Sequence, residues 1–164
     1  MLFFVAGSMK ERYHTLEIAR LGGLLKQMPR LGWILGFSSM ASLGLPGLAG
    51  FWGEFPAILA AYEPAAGLNQ SVFRVYMVIA ALGTVLAAAY LLWLFQRVAF
   101  GEPKPEFAGD GHGHDDHAFH DVNKFEWFAW TPLLIGILVF GVVPNLLFKV
   151  LDPAVHVVLS GFKG

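Results

Sequence analysis

The stretch Ala41-Ser42-Leu43-Gly44-Leu45-Pro46-Gly47-Leu48-Ala49-Gly50-Phe51-Trp52-Gly53-Glu54-Phe55 decides how this chain is built. Pro46 lacks a backbone donor and the glycines at 44, 47 and 50 relax the backbone, so a continuous helix is not expected through it. Apolar sequence flanks it on both sides, Leu31 to Leu45 before and Phe51 to Tyr62 after. The second run carries one acid, Glu54. A carboxylate inside a spanning helix is costly against lipid, so it faces protein interior or a watery path and often relays protons. Unwound backbone at membrane depth is tolerated where it lines a cavity, which makes Pro46, Gly47 and Gly50 the expected lining of such a path. An acid at the membrane interface is the alternative reading of the same placement.

Working outward, 56% of the residues are hydrophobic and 14% charged, so the bilayer is the solvent. Four spans are expected: Leu31 to Leu45, an interrupted one over about 46–62, Val72 to Phe95 and Phe125 to Val143. Tyr76, Trp93, Trp127 and Trp130 mark interfacial depths. The fold class is all-α integral membrane. Its organisation is an end of a preceding helix plus a basic connector (1–30), core helices (31–100), a polar His-rich loop (101–124), and a last helix with an amphipathic tail (125–164). Met1 to Gly7 is apolar but too short to span, and reads as the tail of a longer hydrophobic helix in a larger protein. In the connector, Lys10, Arg12, Arg20, Lys26 and Arg30 outnumber Glu11 and Glu17. Thr15 there is the expected cap of a short amphipathic helix that Gly22-Gly23 breaks. Ser38, Ser39 and Ser42 are expected to bond back to their helix or to neighbours.

Several function classes fall away. Net charge is −1 with no basic block, so nucleic-acid binding has no electrostatic footprint. The chain has no cysteine, which excludes disulfides, thiolate metal sites and iron–sulfur ligation by this chain. His112, His114, His117 and His120 invite a metal assignment, but their glycine- and aspartate-rich setting fits a solvated loop, and no metal is assigned. Phosphate loops and nucleophile elbows are not visible.

Glu11-Arg12-Tyr13-His14-Thr15, Leu21-Gly22-Gly23-Leu24 and the 41–55 stretch together resemble the antiporter-type membrane subunits of NADH-quinone oxidoreductase, respiratory complex I, and among them the chain M (chain 4) type. Ala88-Ala89-Tyr90-Leu91-Leu92-Trp93 and Gln96-Arg97-Val98-Ala99-Phe100-Gly101 resemble the next helix of that family in the same order. The resemblance is detailed over about Met1 to Gly101 and holds only in outline beyond. Gly53-Glu54-Phe55 is its most specific part, since the sister chains usually place a lysine near this point.

The resemblance implies the C-terminal part of a fourteen-helix antiporter-like fold, with Glu54 as the terminal acid of a half-channel and Arg12 and His14 as connector residues. Leu16 departs from the family, which often has an arginine there. The acid and lysines that the family carries in earlier helices are not in this sequence. The implied function is a proton-translocating membrane-arm subunit in a cell inner (plasma) membrane. Its partners would be chain L-like and chain N-like subunits, and NADH, FMN, iron–sulfur clusters and quinone would be bound by partner subunits rather than here. A subunit of a multisubunit cation/proton antiporter or of a membrane-bound hydrogenase is the alternative. A non-conducting membrane piece packing through Ala80, Gly83 and Ala87 is another. Loop charge places the basic 8–30 segment in the cytoplasm, whereas family topology implies the opposite, which the sequence reading follows.

Overall fold

A computed structural model describes residues 1–65, 67–107 and 120–161, and all regular structure among them is helical. Among the described residues seven helices follow in order: α1 Leu2–Tyr13, α2 Leu24–Gln27, α3 Pro29–Ser42, α4 Phe51–Tyr62, α5 Gln70–Ala99, α6 Lys124–Val142 and α7 Asn145–Gly161. Of the four expected spans, α5 and α6 are each long and apolar enough to cross a membrane. Helices α3 and α4 have 14 and 12 residues, about 21 and 18 Å. Neither alone covers a ~30 Å hydrocarbon core. Helix α4 coincides with the expected apolar run Phe51 to Tyr62, and α3 lies two to three residues earlier than the expected Leu31 to Leu45.

Local chemistry sets most helix ends. Asn69 Oδ1 accepts from the N–H groups of Ser71 and Val72 to start α5, and Glu126, in the first turn of α6, reaches back to accept from the Asn123 N–H at 2.7 Å. Val143 and Pro144 separate α6 from α7. Lys149, Asp152 and His156 recur at helical spacing along the exposed α7, as the amphipathic tail requires.

Two expectations for the N-terminal third are corrected. Helix α1 does not stop where charge begins at Ser8 but continues through Lys10, Glu11 and Arg12 to Tyr13. The amphipathic helix capped by Thr15 does not form: Thr15 Oγ1 accepts from the Glu17 N–H in a local turn, and helix resumes only at Leu24, after Gly23 at φ +67°. Threonine competes for nearby backbone donors in just this way when no packed helix face is there to outweigh it. Of the three serines on α3, Ser39 bonds back to the Leu35 carbonyl at 2.8 Å. Ser38 Oγ is buried with no protein partner among the described residues.

The core lies at one end of the helices. Val5, Met9 and Tyr13 from α1, Leu21 and Leu24, Met28, Leu31, Ile34 and Leu35, Val98 near the end of α5, and Val122 and Trp130 form one buried cluster. Helix α5 has 30 residues, about 45 Å, and its buried residues Leu91, Val98 and Ala99 all lie toward this end, where Ala99 is fully covered. Connector and post-α5 segment pack as a polar layer. Gly23 donates to the Phe100 carbonyl at 3.0 Å, and a Cβ at Gly23 would lie 2.5 Å from the Pro103 nitrogen. Tyr13 Oη donates to Gln27 at 2.6 Å, whose amide donates to the Phe107 carbonyl. Lys26 pairs with Glu102 and Arg20 with Glu106. Hydrogen bonding from Arg20 holds the Glu106 carboxyl below the usual carboxylate range, so this exposed bridge acts above that range and is lost as the pH falls through the lowered value.

Arg12 joins α1 to α6. Its guanidinium makes a two-pronged contact with Glu126, Nη2 to Oε2 at 2.7 Å and Nη1 to Oε1 at 3.0 Å. Ser8, one turn earlier on α1, donates to Glu126 and accepts from Arg12. Arg12 Nε also donates to the His120 carbonyl at 2.7 Å. That contact steadies the residue before Asp121, whose carboxylate accepts from the Arg30 and Leu31 N–H groups at 2.9 and 3.1 Å. Met28, the residue preceding α3, supplies no side-chain cap, so Asp121 caps α3 from 90 residues away.

The break between α3 and α4 docks on α6. The Ala49 N–H donates to the Ile137 carbonyl at 3.1 Å. Trp52 Nε1 donates to the Gly141 carbonyl at 2.7 Å, and the Trp52 ring meets Phe148 of α7 edge-on at 6.0 Å. Gly141 permits the approach: a Cβ there would lie 2.2 Å from the Gly47 oxygen and 2.5 Å from Leu48 Cα.

Three outcomes follow. In thermal unfolding of the detergent-solubilised protein, a double-mutant cycle on Arg12→Ala and Glu126→Ala gives a coupling of about 1.5–3 kcal/mol, and a value near zero contradicts the geometry. Asp121→Ala destabilises by about 1 kcal/mol through the lost cap, whereas Asp121→Asn retains most of it. Gly141→Ala lowers stability by about 1–3 kcal/mol through overpacking. Gly136→Ala, which would meet only Phe140 at 3.9 Å, leaves the same melting midpoint unchanged or raised.

Candidate functional site

The candidate site is built from the eight residues between α3 and α4 and the first turn of α4. Helix α3 ends at Ser42, after which Gly44 and Gly47 take φ +66° and +90°, conformations that glycine adopts without steric cost. The chain thereby reverses tightly enough to bring Gly50 against the end of α3, where a Cβ would fall 2.4 Å from the Ala41 carbonyl oxygen. Pro46 is exposed between them. Pro46, Gly47 and Gly50 thus all lie in the non-helical interval, as the composition of the stretch required.

Glu54 is in the first turn of α4 and its N–H bonds to the Gly50 carbonyl at 3.3 Å. Its carboxylate folds back on the break. Oε2 lies 2.8 Å from where a Cβ at Gly44 would be, so the absent side chain at Gly44 is what leaves room for the acid. The Glu54 carboxylate forms no hydrogen bond or ion pair among the described residues, and the residue is exposed on the surface of this chain. The carboxylate thus stands at the surface beside the break with no partner among the described residues.

The two connector residues have different fates. Arg12 belongs to the last turn of α1 and is committed to Glu126 and the 120–121 backbone. A guanidinium held by a carboxylate on two prongs is an anchor. His14 ends α1 in a left-handed conformation, φ 52°, with its ring exposed. Neither residue approaches Glu54 by any hydrogen bond or ion pair. Of the histidine loop, His112, His114 and His117 lie outside the described residues. His120 is exposed and engaged through its backbone carbonyl. Ala80 and Gly83 on α5 are exposed, and a Cβ at Gly83 would meet nothing within 4 Å, so that small-residue face is not packed within this chain.

Sequence reasoning passed over Ser8, Asp121, Glu126, Trp52 and Gly141. Asn123 followed three residues later by Glu126 is a readable helix-start signature and could have singled out Glu126. Asp121 carries no such signal, because the N–H groups it caps are 90 residues away. Trp52 and Gly141 read as ordinary apolar and small membrane residues.

Comparison of the sequence with known proteins places the chain in a family. The family model described as NADH:quinone oxidoreductase/Mrp antiporter, TM, matches residues 1–86, which include α1, the connector, the break and Glu54. The chain is 35% identical over 161 residues to the NADH-quinone oxidoreductase subunit M of Rickettsia prowazekii, covering 98% of this chain and 30% of that protein. It is 37% identical over 154 residues to subunit M of Rhodobacter capsulatus, covering 94% of this chain and 27% of the relative. With the NADH-ubiquinone oxidoreductase chain 4 of Arabidopsis thaliana it shares 34% over 154 residues, 94% of this chain and 28% of the relative. The chain thus spans roughly three tenths of the length of these curated relatives. A match over more than half the chain, joined to an all-helical membrane architecture with an acid beside a helix break, means that this chain belongs to the NADH:quinone oxidoreductase/Mrp antiporter transmembrane family.

Proposed function

We propose that the chain works as part of a proton-translocating membrane-arm subunit, of the chain M type, in an NADH-quinone oxidoreductase of a cell inner membrane. One observation carries the reading: Glu54 stands in the first turn of α4, directly after the break, with its carboxylate against Gly44. A carboxyl group there takes a proton on an oxygen of the carboxylate and passes it on, and the non-helical backbone beside it admits water where a closed helix would exclude it. The names of the relatives supply the coupled reaction, electron transfer between NADH and quinone. This chain supplies no redox group in the proposal. NADH, FMN, iron–sulfur clusters and quinone belong to partner subunits, and chain L-like and chain N-like subunits adjoin it in the membrane arm.

The description of the matching family also names Mrp antiporters, which is the second reading. Glutamate at position 54, where the sister chains and cation antiporter subunits usually carry lysine, favours the first. Flavin and iron–sulfur subunits co-purifying with the chain separate the two.

The test is NADH-driven proton uptake in inverted membrane vesicles carrying the full-length subunit. Glu54→Gln in an assembled complex lowers uptake at least ~10-fold, since a group that transfers protons has been removed, and Glu54→Asp retains part of it. An assembled Glu54→Gln complex that pumps at the parental rate defeats the proposal and leaves the chain a packing element.

A further inference from the structure

Helices α3 and α6 start at the same end of the molecule, because Asp121 caps the first N–H groups of α3 three residues before α6 begins. Between them runs a groove of about 390 Å³. Arg30, Trp33 and Phe37 line it from α3, and Trp127, Leu134 and Leu138 from α6. The composition is graded along its length. Arg30 and Trp127 stand at the shared start of the two helices, Trp33 one turn below, and Phe37, Leu134 and Leu138 deeper. From Trp127 to Leu138 a helix rises about 16 Å, close to half of the ~30 Å hydrocarbon core. The groove therefore has the depth of one leaflet.

Its mouth is cationic. The Arg30 guanidinium forms no hydrogen bond or ion pair among the described residues, only its backbone N–H being used, by Asp121. Lys124, the first residue of α6, is exposed at the same end. Arg12 and Glu126 neutralise each other, so among the described residues at the starts of α3 and α6, Arg30 and Lys124 stand against Asp121. Trp33 is 69% exposed, and tryptophans beside a cation at the top of an apolar slot match the depth of lipid headgroups. Basic pockets between membrane helices bind anionic headgroups.

We propose that this groove holds one acyl chain of an anionic phospholipid, with the headgroup phosphate on Arg30. Apolar length and cationic mouth together argue for a lipid over a second helix, which would leave the Arg30 charge facing an apolar partner. The site is distinct from Glu54 and does not depend on its role.

The test places a benzophenone-bearing amino acid at Phe37 in the full-length subunit within its assembled complex. The complex is reconstituted into nanodiscs of equal phosphatidylglycerol and phosphatidylcholine. After illumination, the mass of the labelled peptide is read. The expected adduct is phosphatidylglycerol in excess of its share. Arg30→Gln lowers that preference about fivefold, the effect of one interfacial cation, and Arg30→Lys keeps it. Adducts in proportion to lipid abundance, a preference that survives Arg30→Gln, or a cross-link to a protein segment, including residues 108–119, each overturn the assignment.

Discussion

The contact between Arg12 and Glu126 is the constraint on which the arrangement depends. It pairs a guanidinium and a carboxylate that are 14% and 22% exposed at the side chain, where the loss of either partner leaves a poorly solvated charge. The same guanidinium holds the His120 carbonyl and so steadies the approach to Asp121, which starts α3. Glu126 in turn completes the start of α6. Three helix ends, joined by a contact that spans 114 positions in sequence, are thereby brought to one level. The parallel run of α3 and α6, the groove between them and the docking of the break on Ile137 and Gly141 all follow from that common level.

Packing is concentrated at this end, and apolar side chains are left outward elsewhere. Val85 and Leu86 of α5 are more than 60% exposed, which in water would mark an adhesive patch and in a bilayer is an ordinary lipid- or helix-facing surface. The polar layer made by the connector and residues 100–107 closes the packed end. Its ion pairs are exposed and contribute little each. Its backbone contacts, Gly23 on Phe100 and the close approach of Gly23 to Pro103, set the geometry instead. Gly22-Gly23 was legible as an interruption of helix. That it is a surface for another segment was not.

The break shows how far local reading extends. Pro46 with the glycines at 44, 47 and 50 disrupts helix wherever it occurs, because the limits are steric and set within a few residues. Membrane class, helix α5 and the α6–α7 boundary at Pro144 are legible for the same reason: hydropathy and backbone chemistry act over one helix at a time. Thr15 shows the converse. Its capping potential is real, but whether a helix follows depends on an apolar face finding a partner, and here a local turn prevails.

What the sequence by itself determined is therefore the solvent, the helical class, the place of the interruption and the presence of one acid beside it. Only the tertiary structure decided that Glu54 folds back on Gly44, that Arg12 is spent on Glu126 rather than free in a connector, and that Asp121 caps a helix far from it in the chain. The physical reason is the range of the forces. Backbone sterics and hydropathy are properties of neighbours in sequence, whereas a hydrogen bond or an ion pair requires two groups within about 3 Å in space, and the choice of partner is made only when the helices have packed.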